Sequence, residues 1–118
     1  NNIDELLKLK ETANNKNLII ATTKNYEVSL LKQLADNIIN QEENCFVLLA
    51  NLNKDNVNII CKTNIDNENI HCGNIVKDIC VKCLGNGGGN KYFAQGGGSN
   101  AKGINKYLSE LKKELKQI

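Results

Sequence analysis

Arginine, proline, methionine and tryptophan are all missing from this 118-residue chain, and histidine occurs once. Each gap removes something. Without arginine, a phosphate contact must come from lysine, an amide, a hydroxyl or a backbone N–H, never from the two-pronged guanidinium. Without methionine the chain cannot begin at its own start codon, so a piece of a longer protein is expected. Without proline there is no proline-rich linker to divide it. No apolar run approaches ~18 residues, so a transmembrane helix and a membrane partner are not expected. The opening Asn1-Asn2-Ile3-Asp4-Glu5 lacks the basic-then-apolar layout of a signal peptide. The five cysteines, Cys45, Cys61, Cys72, Cys80 and Cys83, are odd in number. Together these features predict reduced thiols and a cytoplasmic location.

What is present reads as one globular domain: 41% hydrophobic residues and 24% charged, on a length that can bury a core without a metal or disulfide staple. All the basic residues are lysines, and asparagine is over-used, a pattern of an AT-rich genome rather than of chemistry. The net charge of +2 neither indicates nor forbids nucleic acid, because a local patch can suffice.

Hydrophobic periodicity gives the elements. Ile3 to Ala13 reads as a short helix, broken by Asn14 to Asn17. Leu18 to Thr23 and the nearly all-apolar Cys45 to Leu52 read as buried strands. Val57 to Thr63 follows Cys45–Leu52 across a four-residue turn as an antiparallel partner. Leu31, Leu34, Ala35, Ile38 and Ile39 define a helix within Tyr26–Asn40. Cys72, Ile75, Val76, Ile79, Cys80, Cys83 and Leu84 define a second over Ile70–Leu84, with Gly85 as its left-handed cap. Ile104 to Ile118 is a third, capped by Ser99 or Asn100. The expected fold class is α/β: a small mixed β-sheet with helices packed on it and a Gly-rich loop before the C-terminal helix. Residues 1–17 are assigned to an N-terminal helix, the end of a preceding helical region, and residues 18–118 to one globular domain. A short strand at Tyr92–Gln95 is the only order expected inside the loop.

That loop, Asn86 to Asn100, holds two triple-glycine runs around Asn90-Lys91-Tyr92-Phe93-Ala94-Gln95. Ordered glycine is entropically costly, so the runs need a reason. Three are open: low complexity, tight turns and close backbone approach, or bare N–H groups that cradle an anion. Neither the P-loop nor the dinucleotide pattern fits, because both fail at Asn90.

The motif itself carries a resemblance. Gly87-Gly88-Gly89, four variable residues Asn90 to Phe93, Ala94-Gln95, Gly96-Gly97-Gly98 and a helix from Ala101 resemble the C-terminal domain of alanyl-tRNA synthetases. That domain type is also attached to DHH phosphoesterases. Gly73 to Val76 resembles the small-residue start of the family's preceding helix, and the likeness runs from about Leu18 to the C-terminus. The family usually has Arg-Pro after the first glycine run, where this chain has Asn90-Lys91. The resemblance implies a non-catalytic tRNA-binding module without cofactor or metal. It implies contact with the elbow of tRNA (tRNA-Ala), in support of aminoacylation and editing by the remaining domains of the same synthetase, and a role in homodimerisation. The nucleic-acid surface is then Asn86, Gly87, Gly88, Gly89, Asn90, Lys91, Gln95, Gly96, Gly97, Gly98, Ser99, Asn100 and Lys102, with Lys91 the main charged contact and the positive end of the last helix pointing back at this same loop. The alternatives are the nucleic-acid-binding domain of a DHH-type phosphoesterase and a purely structural module.

The remaining constellations are weaker. Cys80 and Cys83 have metal or redox spacing, but lie within a helical pattern. His71 and Cys72 are about two turns, roughly 12 Å, away along the same helix, too far to share one zinc ion with them, and buried small hydrophobes are the better reading. Lys106, Lys112, Lys113 and Lys116 make either a solvated face supported by Glu110 and Glu114 or a basic strip joining Lys91 and Lys102. Of Tyr92 and Phe93, one is expected in the core and the other free to stack on a base.

Overall fold

The structure, a computed structural model, describes residues 2–118. In order they form α1 (Asn2–Leu7), β1 (Glu11–Ala13), β2 (Lys16–Lys24), α2 (Val28–Gln41), β3 (Cys45–Asn53), β4 (Asn56–Thr63), α3 (Cys72–Lys82), β5 (Gly85–Gly89), β6 (Phe93–Gly98) and α4 (Ile104–Lys116). The strands make one six-stranded sheet in the order β1-β2-β3-β4-β6-β5. β2 and β3 are parallel and every other pairing is antiparallel, so the sheet is mixed, as the spacing predicts.

Alternation within the strands divides the core in two. Ile19, Val47, Leu49 and Ile60 meet α1 and α2 through Leu6, Leu31, Leu34 and Ile38. Leu18, Phe46, Leu48, Ile59 and Cys61 meet α3 and α4 through Val76, Ile79, Cys80, Leu108 and Leu111. Cys45 to Ala50 is wholly buried because both faces of β3 are covered. Among the described residues no helix is long and apolar enough to cross a membrane.

Several boundaries differ from the periodicity, each for a local reason. The helix expected over Ile3–Ala13 stops at Leu7. Asn14 (φ 50°) and Asn15 (φ 65°) form a two-residue hairpin turn of the kind that suits right-twisted strands. That turn folds Glu11–Ala13 back onto β2 as an edge strand. α2 begins at Val28, not Tyr26, because buried Asn51 holds Tyr26 on both sides: its Nδ2 donates to the Tyr26 carbonyl (3.0 Å) and its Oδ1 accepts the Tyr26 N–H (3.1 Å). At the end of α3 the left-handed residue is Leu84 (φ 57°), and Gly85 already belongs to β5. α4 is capped by Gly103 without a side-chain bond, so neither Ser99 nor Asn100 caps it.

The largest correction concerns the Gly-rich loop, which is instead a hairpin of two strands, β5 and β6. β6 lies between β4 and β5, so its amides are spent on ladders to both sides. The bare backbone is needed for packing. A Cβ at Gly96 would lie 2.8 Å from Cys80 Sγ, and one at Gly87 would lie 3.0 Å from Val76 Cγ1. The glycines thus let α3 settle directly onto the hairpin.

Candidate functional site

The hairpin turns at Lys91-Tyr92. Asn90 holds it: its Oδ1 accepts the N–H groups of Tyr92 (2.8 Å) and Phe93 (3.0 Å), and its own N–H donates to the Phe93 carbonyl (2.9 Å). The turn's carbonyls are used as well. Cys72 N–H donates to Lys91 O (2.9 Å) and Gly73 N–H to Asn90 O (2.8 Å). Two donors that a helix start leaves unpaired are therefore satisfied by the hairpin. His71 Nδ1 accepts a third, from Asn74 N–H at 3.0 Å. The α3 start is not open to an anion.

Lys91 is engaged too. Its Nζ donates to Asp66 Oδ1 (2.8 Å), which also accepts the Tyr92 hydroxyl (3.1 Å), and the ammonium stands 5.6 Å from the Tyr92 ring centroid. The Lys91 hydrogen bond, then that from Tyr92, hold the Asp66 carboxyl below its ordinary range. Asp66 in turn raises Lys91. Tyr92 is the exposed aromatic, whereas Phe93 packs partly buried against the α2-side core.

Strand alternation sorts the other expected residues by face. Gly87, Gly89, Gly96 and Gly98 turn toward α3 or its C-terminal end. Asn86, Gly88, Gln95 and Gly97 share the opposite face, as the pairs Asn86↔Gly97 and Gly88↔Gln95 require. α2 covers that face only as far as Ile60. Beyond it Asn86 and Gln95 are exposed, and nothing lies within 4 Å of a Cβ placed at Gly88. Asn58 and Lys62 on β4 extend this surface, opposite Gly97 and Phe93. Lys62 is paired with Asp36 at 2.6 Å. The sequence reading missed Asn58 and Lys62, and it took Asp66 for a solvated charge rather than the partner of Lys91. The alternation of polar Asn58 and Lys62 with buried Val57, Ile59 and Cys61 would have located the first two.

Ser99, Asn100 and Lys102 are not part of this cluster. They follow the other end of β6, roughly 20 Å from the turn by strand rise. There Ser99 Oγ donates to Leu84 O (3.3 Å), Asn100 N–H to Cys83 O (2.9 Å) and Lys102 N–H to Asn100 Oδ1 (3.0 Å). α4 starts at that far end, so its N-terminus does not face Lys91. Lys112 and Lys116 are drawn to Glu11, at 3.3 and 2.6 Å, in place of the expected Glu110 and Glu114. This leaves Lys106 and Lys113 as the members of the basic strip without an ion pair among the described residues. Cys80 and Cys83 are buried in the core. Burial pushes the Cys80 thiol up to about 11 and that of Cys45 to about 12. Among the described residues no group of three or more His, Cys, Asp or Glu side chains is placed to hold a metal ion.

The glycine hairpin completes the edge of a mixed sheet and is clasped by the start of the preceding helix. The DHHA1 domain family matches residues 15–117, and the chain belongs to it. Relatives of known identity narrow the likeness. The chain is 33% identical over 103 residues to an alanine–tRNA ligase of Leptospira interrogans, a stretch covering 86% of this chain and 10% of that protein. It is 36% identical over 81 residues to that of Leptospira borgpetersenii, covering 67% and 9%. The chain thus spans about a tenth of the length of these curated relatives. Among solved structures, the C-Ala domain from Aquifex aeolicus alanyl-tRNA synthetase superposes with a TM-score of 0.77 at 22% identity, over 91% of this chain and 97% of that one. The resemblance carried by the two glycine runs and Ala94-Gln95 therefore holds, and so does the fold it implies.

Proposed function

We propose that this chain is the tRNA-binding C-terminal domain of an alanyl-tRNA synthetase. It takes tRNA-Ala at the elbow and works without a cofactor of its own. It supports aminoacylation and editing carried out by other domains of the same cytoplasmic protein. One observation carries the reading: the hairpin face that α2 leaves uncovered. Glycine backbone at Gly88 and Gly97 lets a sugar–phosphate chain come close, and the amides of Asn86, Gln95 and Asn58 offer donors and acceptors to it. Lys91 and Tyr92 stand at one end, the former as a cation that can exchange Asp66 for a phosphate, the latter as an exposed ring on which a base can stack. Similarity to ligases favours this reading over the phosphoesterase one.

The test is tRNA affinity of the 118-residue chain at low salt. Gln95→Glu places a carboxylate on the open face and is expected to weaken binding about tenfold, the scale of one charged hydrogen bond lost plus repulsion. Lys91→Ala is expected to weaken binding several-fold. Lys54→Ala, in the β3–β4 turn, serves as the control. Binding by the parent should fall steeply as salt rises. Equal affinities for all four chains, each shown to be folded, would remove the hairpin from the binding surface.

A further inference from the structure

Among the described residues β5 is the last strand of the sheet and pairs only with β6. Tyr92 O accepts from Thr63 N–H on the β4 side, while Phe93 O accepts from Asn90 N–H on the β5 side. Antiparallel ladders alternate, so Phe93, Gln95 and Gly97 bond across to Asn90, Gly88 and Asn86. The N–H and C=O groups of Gly85 and Gly87 and the N–H of Gly89 are then left directed off the sheet, while the Gly89 carbonyl lies against Gly73 at the start of α3. Edge strands are normally guarded by charge or proline against the addition of another strand. β5, reading Gly-Asn-Gly-Gly-Gly, carries neither.

A second, independent observation lies beside this edge. The flank of α3 that turns to α4 carries Ile75, Asp78 and Lys82. By helical periodicity the opposite flank, on the β5 side with Gly73, carries Lys77 and Val81, and Leu84 follows where the chain passes from α3 into β5. Val81 is 57% exposed and Leu84 68% exposed. Leu84 also occupies a left-handed backbone position (φ 57°), of the kind that four asparagines and Lys54 fill elsewhere and that disfavours leucine. Neither packing nor solubility accounts for an exposed leucine held in an unfavourable conformation. Lys77 is exposed and, among the described residues, belongs to no ion pair.

We propose that the outer edge of β5, the Lys77–Val81 flank of α3 and Leu84 form a docking groove for an extended polypeptide segment of another protein, bearing apolar and acidic side chains, which adds to the sheet as a seventh strand. The unpaired glycine amides supply main-chain hydrogen bonds, and the side-chain-free edge lets any residue sit opposite. Alternate side chains of the segment fall on the α3 side, where Val81 and Leu84 select an apolar residue and Lys77 an acidic one. A second copy of this chain is the poorer occupant. Val76 stands level with Gly87, the middle of β5. A two-fold pairing of β5 with itself would therefore bring two Lys77 side chains toward each other at the axis. The groove lies on the α3 side and leaves the Asn86–Gln95 face uncovered.

The test uses a displayed library of random nine-residue peptides, selected on the 118-residue chain and compared with Leu84→Asn. Asparagine suits the left-handed position, so that variant is expected to fold at least as well as the parent. Enriched peptides should alternate apolar residues and carry an acidic one. An enriched peptide, synthesised, should slow amide exchange at Gly85, Gly87 and Gly89. It should bind Leu84→Asn about tenfold more weakly, as loss of a leucine contact implies. N-methylation of its alternate amides should abolish binding, and Lys77→Glu should reverse the preference for acid. Equal enrichment on parent and variant overturns the proposal. So does protection confined to residues away from β5, or a concentration-dependent dimer of the parent that Leu84→Asn abolishes.

Discussion

No glycine in the chain has a positive φ, while Asn14, Asn15, Asn25, Asn44, Lys54 and Leu84 do. Asparagine makes most of the tight turns, and every glycine but Gly88 stands where an added Cβ would crowd a neighbour. The two ends of this behaviour are Gly96 and Gly88. A Cβ at Gly96 would crowd Cys80 Sγ at 2.8 Å, whereas one at Gly88 would meet nothing within 4 Å. Gly96→Ala should destabilise the fold by about 1–3 kcal/mol, the range for overpacking. Gly88→Ala should stay within about 0.5 kcal/mol of the parent. Urea unfolding midpoints measure both. Strands hidden in glycine runs cannot be read from alternation, because no side chain is left to alternate. Only the register imposed by β4 reveals them. At Lys91 the sequence showed the cation but not its partner, since Asp66 lies 25 residues away. Asp66→Asn removes the competing carboxylate, and tRNA affinity at low salt should rise about two- to threefold, as for one exposed ion pair. The gain should vanish in the Asp66→Asn, Lys91→Ala double variant, and a gain that survives there would place the effect elsewhere.

Among the elements, α2, α3 and α4 announce themselves by i, i+3, i+4 spacing, and their positions follow the periodicity to within a few residues. β1 does not, because Glu11-Thr12-Ala13 is too short to show a period. Its role is in the contacts it makes to α4. Glu11 receives Lys116 and Lys112, Asn14 Nδ2 donates to Lys116 O (2.8 Å), and Lys16 Nζ to Ile118 O (3.0 Å), so the first hairpin closes over the end of the last helix. The Lys116 hydrogen bond is the main cause holding the Glu11 carboxyl below its usual value of 4.5, with Lys112 adding and burial opposing. A depressed folded-state value means that this contact stabilises above the ordinary carboxylate range and is lost as pH falls through the lowered one. Glu11→Gln should therefore cost up to about 1 kcal/mol at pH 7, exposed pairs being weak. Its stability should also fall less steeply than that of the parent as the solution is acidified below about pH 4.5. Urea midpoints at neutral and acid pH report the difference, and parallel acid limbs would show that Glu11 contributes nothing.

For the molecule as a whole, coverage is uneven. One face of the sheet carries α3 and α4, and the other carries α1 and α2 only as far as Ile60. All five cysteines lie in the covered part. With Cys45 and Cys80 pushed up to about 12 and about 11 by burial, the folded chain should take up almost no maleimide at neutral pH and label fully once unfolded in urea. Fast labelling of the native chain would mean that the core opens readily. Apolar periodicity predicts which side chains are covered, but not which face a helix leaves bare, since that depends on how far α2 reaches across the sheet. The strand order also constrains how the molecule assembles. Because β6 sits between β4 and β5, β5 can join the sheet only through β6. Closing the hairpin at its own two-residue turn costs less chain entropy than pairing β6 with β4 across a long loop, so the order favours a hairpin that is paired before it docks. Asn90, which ties the turn with its side chain, becomes a timing device. Asn90→Ala should slow refolding several-fold after a denaturant jump while leaving the unfolding rate nearly unchanged, the behaviour of a contact already made at the barrier.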